Sequence, residues 1–272
     1  MKLQVLTPEP PLQPFIAAFW YFESDFGVPV TDNRVIAPNG KAKIIIPFRN
    51  ALFTHLDGRE TEYPEQSVFF IGLWDRPVTL SSRSRSTGTI GLELTPEGAY
   101  RFTDLSMFEL TNRIIPFDEL YGPAGRALQE RIGNAVTMDE RLQLIQSFLI
   151  ARLDRRPPNS LVDHTVGLIR ESMGLVPVQE LERRTGYSRR YLDLLFRDHL
   201  GLSPKTLATI VRFQRMYRIW ATDDRMTFSE ESLYDLYYDQ AHFIREFRRY
   251  TGYSPRQYTR IRNEFGKIFY RR

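Results

Sequence analysis

From residue 15 to about 100 the chain sets short apolar and aromatic runs, FIAAFWYF (15–22), KIIIPF (43–48), SVFFIGLW (67–74) and TIGLEL (89–94), between PNG, LDG, YPEQ and SRSRSTG. Strand-length runs broken at short intervals by Gly, Pro, Asp and Asn predict an antiparallel sandwich or small barrel. After Pro116 the period changes. GPAGRALQERIGNA and TMDERLQLIQSFLIARL repeat apolar positions every three to four residues, and Thr137 with Glu140 predicts a capping box at the start of the second. The stripe Leu142, Ile145, Leu149 and Leu153, with Phe148 beside it, suits packing against the β-rich part or contact with a second copy of the chain.

ARLDRRPPNS (151–160) reads as a linker, because Pro157 and Pro158 end any helix and hold the chain extended. Beyond it the pattern is helical throughout. Ser160 with Asp163 opens a helix whose inward stripe is Val162, Val166, Ile169 and Met173, Gly174 stops it, and Pro177 begins VQELERRT with Val178 and Leu181 inward. Gly186-Tyr187-Ser188 then predicts a tight turn and a new cap, a helix-turn-helix layout. In the following helix Leu192, Leu195 and Phe196 share one face, leaving Arg189, Arg190, Asp193 and Arg197 largely on the other. That face suits a major groove, where arginine meets guanine edges and phosphates, or plain solvent.

The stretch SRRYLDLLFRDHLGLSP (188–204) returns 51 residues later as DQAHFIREFRRYTGYSP (239–255), sharing Phe196/Phe247, Arg197/Arg248, Gly201/Gly252, Ser203/Ser254 and Pro204/Pro255. The shared letters specify a helix, its stop and the next start, with Ser254 and Gln257 as a further capping box. Between the copies SPKTLATIVRFQRMYRIW predicts a helix of roughly 27 Å, a rod able to hold two such units about one DNA turn apart. The predicted fold class is α+β: residues 1–156 form a β-barrel or sandwich with a helical extension, and residues 157–272 an all-α domain of two helix-turn-helix units joined by a long helix.

Length and composition agree with two domains, since 272 residues exceed one average domain. The absence of cysteine excludes disulfides, thiolate zinc sites and a cysteine nucleophile. No apolar run approaches the roughly 20 residues that span a bilayer, and MKLQVLTPEPPLQPF lacks a signal-peptide layout, so a soluble cytoplasmic protein with no membrane partner is expected. Charge is divided unevenly: residues 151–272 hold 23 Lys+Arg against 15 Asp+Glu, within a chain of net charge +4. Nearly all of those cations are arginine, the fork-shaped donor suited to phosphate and guanine.

Catalytic chemistry finds little support. His55 lacks the second histidine and the carboxylate of a metal-binding barrel, PNGKAK has one glycine and no following helix, and no Ser/His/Asp grouping is visible. No metal, cofactor or catalytic residue is expected. A barrel of this kind encloses a small ligand in some proteins, and Trp20, Phe22, Trp74 and Arg76 are the candidate effector-pocket residues, with Arg83 and Arg85 as further polar candidates.

GYSRRYLDLLFRDHLGLSPKTLATIVRFQRM and YYDQAHFIREFRRYTGYSPRQY resemble the DNA-binding domain of the AraC/XylS family of bacterial transcription regulators, over about residues 160–262. PPLQPFIAAFWYF, PNGK and LTPEGAYRF resemble, less specifically, the β-rich sensory domain of many members. The resemblance implies two recognition helices in successive major grooves. It puts Arg189, Arg190, Asp193 and Leu194 of the first, and Gln240, Ala241, His242 and Arg245 of the second, against bases. Arg197, Lys205, Arg212, Arg248 and Arg249 fall on the DNA backbone. This chain departs from the family at Leu194, where many members have a polar or basic side chain, at Leu236 in place of the usual turn glycine, and at Glu231 and Ser232 with Asp223, Asp224, Glu230 and Asp235 around them. Leu194 suits thymine-methyl contact. The implied function is a sequence-specific DNA-binding regulator responsive through its front domain, with double-stranded DNA, a small-molecule effector, RNA polymerase and a second copy as candidate partners. The competing readings are a protein-interaction co-regulator with residual DNA binding and a barrel enzyme with a DNA-binding tail.

Overall fold

The computed structural model describes residues 2–25, 34–56, 58–153, 155–222, 236–237 and 239–261. The described strands are β1 (Lys2–Leu6), β2 (Ile16–Ser24), β3 (Arg34–Ile36), β4 (Lys43–Arg49), β5 (Leu52–Leu56), β6 (Arg59–Tyr63), β7 (Phe69–Ile71), β8 (Val78–Ser81), β9 (Thr87–Leu94) and β10 (Ile114–Pro116). They form two sheets, a six-stranded one in the order β1-β2-β9-β4-β7-β10 and a four-stranded one in the order β3-β8-β5-β6. The helices are α1 (Pro96–Ala99), α2 (Met107–Leu110), α3 (Phe117–Tyr121), α4 (Pro123–Asn134), α5 (Met138–Ile150), α6 (Ser160–Glu171), α7 (Val178–Thr185), α8 (Arg189–Leu200), α9 (Pro204–Thr222), α10 (Gln240–Thr251) and α11 (Pro255–Ile261). The fold is α+β, with the sheets first and the helical part last.

The inner strands β2, β4 and β9 of the larger sheet are covered on both faces, which explains why they read as unbroken apolar runs. On β2, Phe19 joins Ile44 and Ile46 of β4 and Ile90 and Leu92 of β9 in a core shared with Tyr100, Phe102 and Phe117. Successive side chains point to opposite faces, so Trp20 and Phe22 turn the other way, toward Ile36 and Leu80 of the smaller sheet. Gly91 lies opposite Trp20 in the β2–β9 register. A Cβ there would come within 2.2 Å of the Trp20 ring, so only glycine lets the indole lie flat across the sheet.

The α5 stripe is internal: Leu142, Ile145 and Leu149 are buried within the single chain. Packing, rather than contact with a second copy, accounts for it. Thr137 Oγ1 accepts the Glu140 amide, but the Glu140 carboxylate takes the Val136 amide, one residue before the cap where a capping box would use the cap's own. Two local readings at the start of the helical part also change. Asn159 caps α6 by accepting the Leu161 and Val162 amides, so Ser160 is the first helical residue instead of the cap. Met173 has φ 55° and is exposed, so it ends the helix outside the inward stripe, which Leu168 completes. Pro177 likewise stands at the cap of α7, one position before the first turn.

The helical part is docked on the sheet part, and one apolar cluster runs through both. Tyr100 Oη accepts the Asn159 amide at 2.9 Å, Thr111 Oγ1 lies 3.0 Å from the Gly201 carbonyl, and Arg170 grips Glu97 with both terminal nitrogens. Gln214 of α9 donates to the Pro38 carbonyl. Among the described residues no helix is long and apolar enough to cross a membrane.

Candidate nucleic-acid interface

The first helix-turn-helix is built from α7, a three-residue turn and α8. Gly186 takes φ 75°, the left-handed conformation that the turn requires, and Ser188 Oγ accepts the Tyr191 amide to cap α8. Leu192, Phe196 and Leu200 are fully buried and fix which face of α8 points out. Gly201, at φ 79°, ends the helix, and Ser203 caps α9 by accepting the Thr206 amide. The last α7 turn carries Arg183 and Arg184, which both hydrogen-bond Glu180 and hold its carboxyl down to about 2.

The second unit repeats this logic. Asp239 Oδ1 accepts the His242 amide, Phe243, Phe247 and Tyr250 are buried, and Gly252 at φ 80° closes α10. Ser254 and Gln257 form the reciprocal capping box at the start of α11. Phe196 and Phe247, shared between the copies, each contribute about 1.5–3 kcal/mol by burial. Leu236, where the family has its turn glycine, is not among the positive-φ residues, so it escapes the left-handed cost to a branched side chain. The acidic positions Asp223, Asp224, Glu230, Glu231 and Asp235, with Ser232, lie outside the described residues.

A cavity of about 560 Å³ lies between the two sheets. Its wall is mostly apolar and includes Trp20, Phe22 and Trp74, with Gln214 and Arg218 of α9 along one side. One end is polar. Lys43 and Glu93 face each other in the β4–β9 register, Lys41 Nζ donates to Glu93 at 3.1 Å, and Asn39 donates to Glu93 and accepts from Lys43. Burial pushes the Lys43 ammonium below the usual lysine range, with help from Lys41 and against the pull of Glu93. Burial alone would raise the Glu93 carboxyl, but the charges of Lys43 and Lys41 and the hydrogen bonds from Lys41 and Asn39 hold it below the ordinary value. Among the described residues the buried Trp74 Nε1–H meets no acceptor.

Residues 181–261 match a family model described as a helix-turn-helix domain, and residues 4–116 match one described as a domain of unknown function, DUF6597. Over 79 residues the chain is 38% identical to the F1 operon positive regulatory protein of Yersinia pestis, a match that spans 28% of this chain and 25% of that relative's length. Two structures of ToxT from Vibrio cholerae share the fold: one with TM-score 0.51 and 11% identity, over 89% of this chain and 97% of that one, the other with TM-score 0.50 and 9% identity, over 96% and 99%. These matches support the resemblance of the helical part to the AraC/XylS family.

The positions that the AraC/XylS resemblance singles out fall into three groups. Arg190, Leu194, Gln240, Ala241, Arg245, Lys205 and Arg248 are exposed, and His242 is at the edge of exposure, 3.8 Å from Glu246. Arg189 is also exposed and lies within 3.7 Å of the half-buried Asp193. Three backbone-contact candidates are already engaged by protein. Arg212 pairs with the buried Glu246 at 2.6 Å and lies over the Tyr237 ring, Arg249 pairs with Asp75 at 2.9 Å, and the Arg197 guanidinium stands 5.7 Å from the Phe108 ring.

Of the four residues assigned to an effector pocket, Trp20, Phe22 and Trp74 line the cavity. Arg76 is exposed, with its guanidinium 5.8 Å from the Trp74 ring, and Arg83 stacks on Phe53 and pairs with Glu60. The polar end is made instead by Lys41, Lys43 and Glu93, which the sequence reading passed over. The available signal was period two: in KAKIII and TIGLEL, Lys43 and Glu93 occupy cavity-facing positions of strands that are otherwise largely apolar, and Lys41 precedes the first of them by two residues. His55 meets Ser81 and Glu60, and the described residues hold no group of three metal-ligating side chains.

Proposed function

We propose that this chain is a sequence-specific DNA-binding transcription regulator, with residues 157–272 on duplex DNA and residues 1–156 holding a small-molecule effector between the sheets. One observation carries the reading. Two 12-residue helices, α8 and α10, each capped by a side chain, closed by a left-handed glycine and bearing exposed arginine, lie on either side of the 19-residue α9. In this reading Arg190, Leu194, Gln240, Ala241, His242 and Arg245 meet bases, Arg189 and Asp193 flank them, and Lys205 and Arg248 meet phosphates. Arg197, Arg212 and Arg249 add to the phosphate set only on leaving their protein partners.

The Yersinia pestis relative, named as a positive regulatory protein, supports an activator role with RNA polymerase as a further partner. A ToxT structure of TM-score 0.50 and 8% identity is bound to an aromatic butenoic acid. The apolar wall and the Lys41/Lys43 end of the present cavity suit the same chemical class, an apolar body carrying a carboxylate. The α5 stripe is used internally and lends no support to a homodimer.

The test is fluorescence anisotropy of the full chain on duplex DNA flanking its own gene. Arg190→Ala and Arg245→Ala each weaken the preferred site by about 1–3 kcal/mol and relax base preference at one position, while affinity for unrelated DNA holds. Equal loss on every sequence would reduce these arginines to phosphate holders, and no site preference in the wild type would favour the protein-interaction reading.

A further inference from the structure

The exposed side of α8 carries apolar and aromatic side chains beside its arginines. Leu194 is 60% exposed, and Tyr187 and Tyr191 are each 46% exposed. The two tyrosine rings stack, with centroids 4.9 Å apart and planes at 23°. On a helix, residues three and four apart share a face, so Tyr191 and Leu194 continue the line that Tyr187 begins just before the cap. The Tyr187 amide donates to Thr185 Oγ1 at 3.3 Å, which holds the turn backbone that carries the first ring. Arg189, exposed as well, lies 3.7 Å from Asp193.

Core packing does not require these rings. The residue before a helix cap often staples onto the fourth helical residue, but here that residue is Leu192, fully buried in the core, whereas the Tyr187 partner is the exposed Tyr191 one position earlier. The patch also does not resemble a surface for an apolar protein partner. It is bordered by Arg190 and lies at the amide-rich start of α8, where the helix favours anions. An apolar strip edged by cations matches a major groove, whose apolar landmark is the thymine C5-methyl and whose rims are phosphate.

We propose that Tyr187, Tyr191 and Leu194 form an apolar reading patch by which the first helix-turn-helix selects thymine through its methyl group. The patch thereby supplies specificity that the family usually draws from a polar side chain at position 194. The proposal rests on the DNA-binding reading above, and its test separates the two. The full chain is used to select duplexes from a random-sequence library, and each thymine of the selected site is then replaced by deoxyuridine, which keeps base pairing and removes only the methyl. Binding is measured by anisotropy for the wild type and for Tyr191→Ala, Tyr191→Phe and Leu194→Ala.

The wild type loses about fourfold at one or two thymines, the worth of burying one carbon. Tyr191→Phe keeps this discrimination, because the ring is retained. Tyr191→Ala and Leu194→Ala bind thymine and uracil duplexes alike, with melting temperatures near the wild-type value because the side chains removed lie outside the buried core. Leu194→Arg moves the selected base at its position toward guanine. A site that tolerates deoxyuridine everywhere, or alanine variants that still distinguish the two bases, would overturn the patch while leaving DNA recognition intact. A library that yields no enriched sequence would instead remove the DNA-binding reading, and the patch with it.

Discussion

At the scale of single residues, His199 shows how a neutral side chain is written into the docking of the first helix-turn-helix. Its Nδ1–H donates to the Leu195 carbonyl at 3.0 Å, which leaves Nε2 to accept from Asn159 Nδ2 at 3.4 Å, and its ring meets Tyr100 edge-on at 4.8 Å. Burial lowers its pKa below the ordinary histidine value, helped by Arg156 and opposed by the Leu195 hydrogen bond and the nearby Asp198 and Asp163. The unfolded chain therefore takes up this proton at higher pH than the folded one. Stability from the neutral ring is present above about pH 6.5 and is lost as pH falls toward the depressed folded value. His199→Phe keeps a ring against Tyr100 and does not titrate. Thermal melts of both proteins between pH 7.5 and 5 should separate below pH 6.5, the wild type falling faster, and superimposable profiles would remove His199 as the cause.

At the scale of elements, the two recognition helices use the same stop in different settings. Gly201 and Gly252 share φ near 80°, where a Cβ costs about 1–2 kcal/mol of backbone strain. At Gly201 a Cβ would also come within 2.1 Å of Thr111 Oγ1 and 2.6 Å of the Met107 carbonyl, whereas at Gly252 the nearest atom is Pro77 Cγ at 3.9 Å. Gly252→Ala should cost only the strain in urea unfolding. Gly201→Ala should cost distinctly more and loosen the contact of α8 with α2. Equal losses would mean that this contact yields freely. The turn, caps and buried phenylalanines of each unit are local consequences of spacing, and the sequence made them readable. That Gly201 doubles as a close contact with Thr111, 90 residues earlier in the chain, had no local signal.

At the scale of the whole molecule, the sheet part holds Arg249, one of the arginines proposed for the DNA backbone. Asn112 fixes Asp75 by donating to Oδ1 at 2.9 Å while its own oxygen accepts the Asp75 amide, and Asp75 Oδ2 meets Arg249 of α10. This pair is partly exposed and so is worth at most about 1 kcal/mol. Asp75→Asn should release Arg249, raise affinity for duplex DNA two- to fivefold at low salt and steepen the salt dependence by about one unit. Anisotropy at three salt concentrations measures both, with Asp118→Asn as a control for the change in net charge. The same slope for Asp75→Asn and the control would mean that the pair does not restrain Arg249.

The sequence by itself determined the order of architecture, strands before helices, and the twice-written helix with its glycine stop, because these depend on periodicity and on backbone preferences within a few residues. It also singled out Trp20, Phe22 and Trp74, which line the cavity, from their aromatic character within the β-rich part. Only the tertiary structure decided which charges share the cavity, as Lys43 and Glu93 meet through a strand register that joins residues 50 positions apart. It likewise decided which arginines are held, because Arg197, Arg212 and Arg249 find their partners on other elements, and it set the outward line of α8, where burial of Leu192, Phe196 and Leu200 leaves tyrosine and leucine facing outward. Local free energies fix helices and turns, whereas the assignment of a side chain to core, cavity, ion pair or groove depends on what the folded chain brings against it.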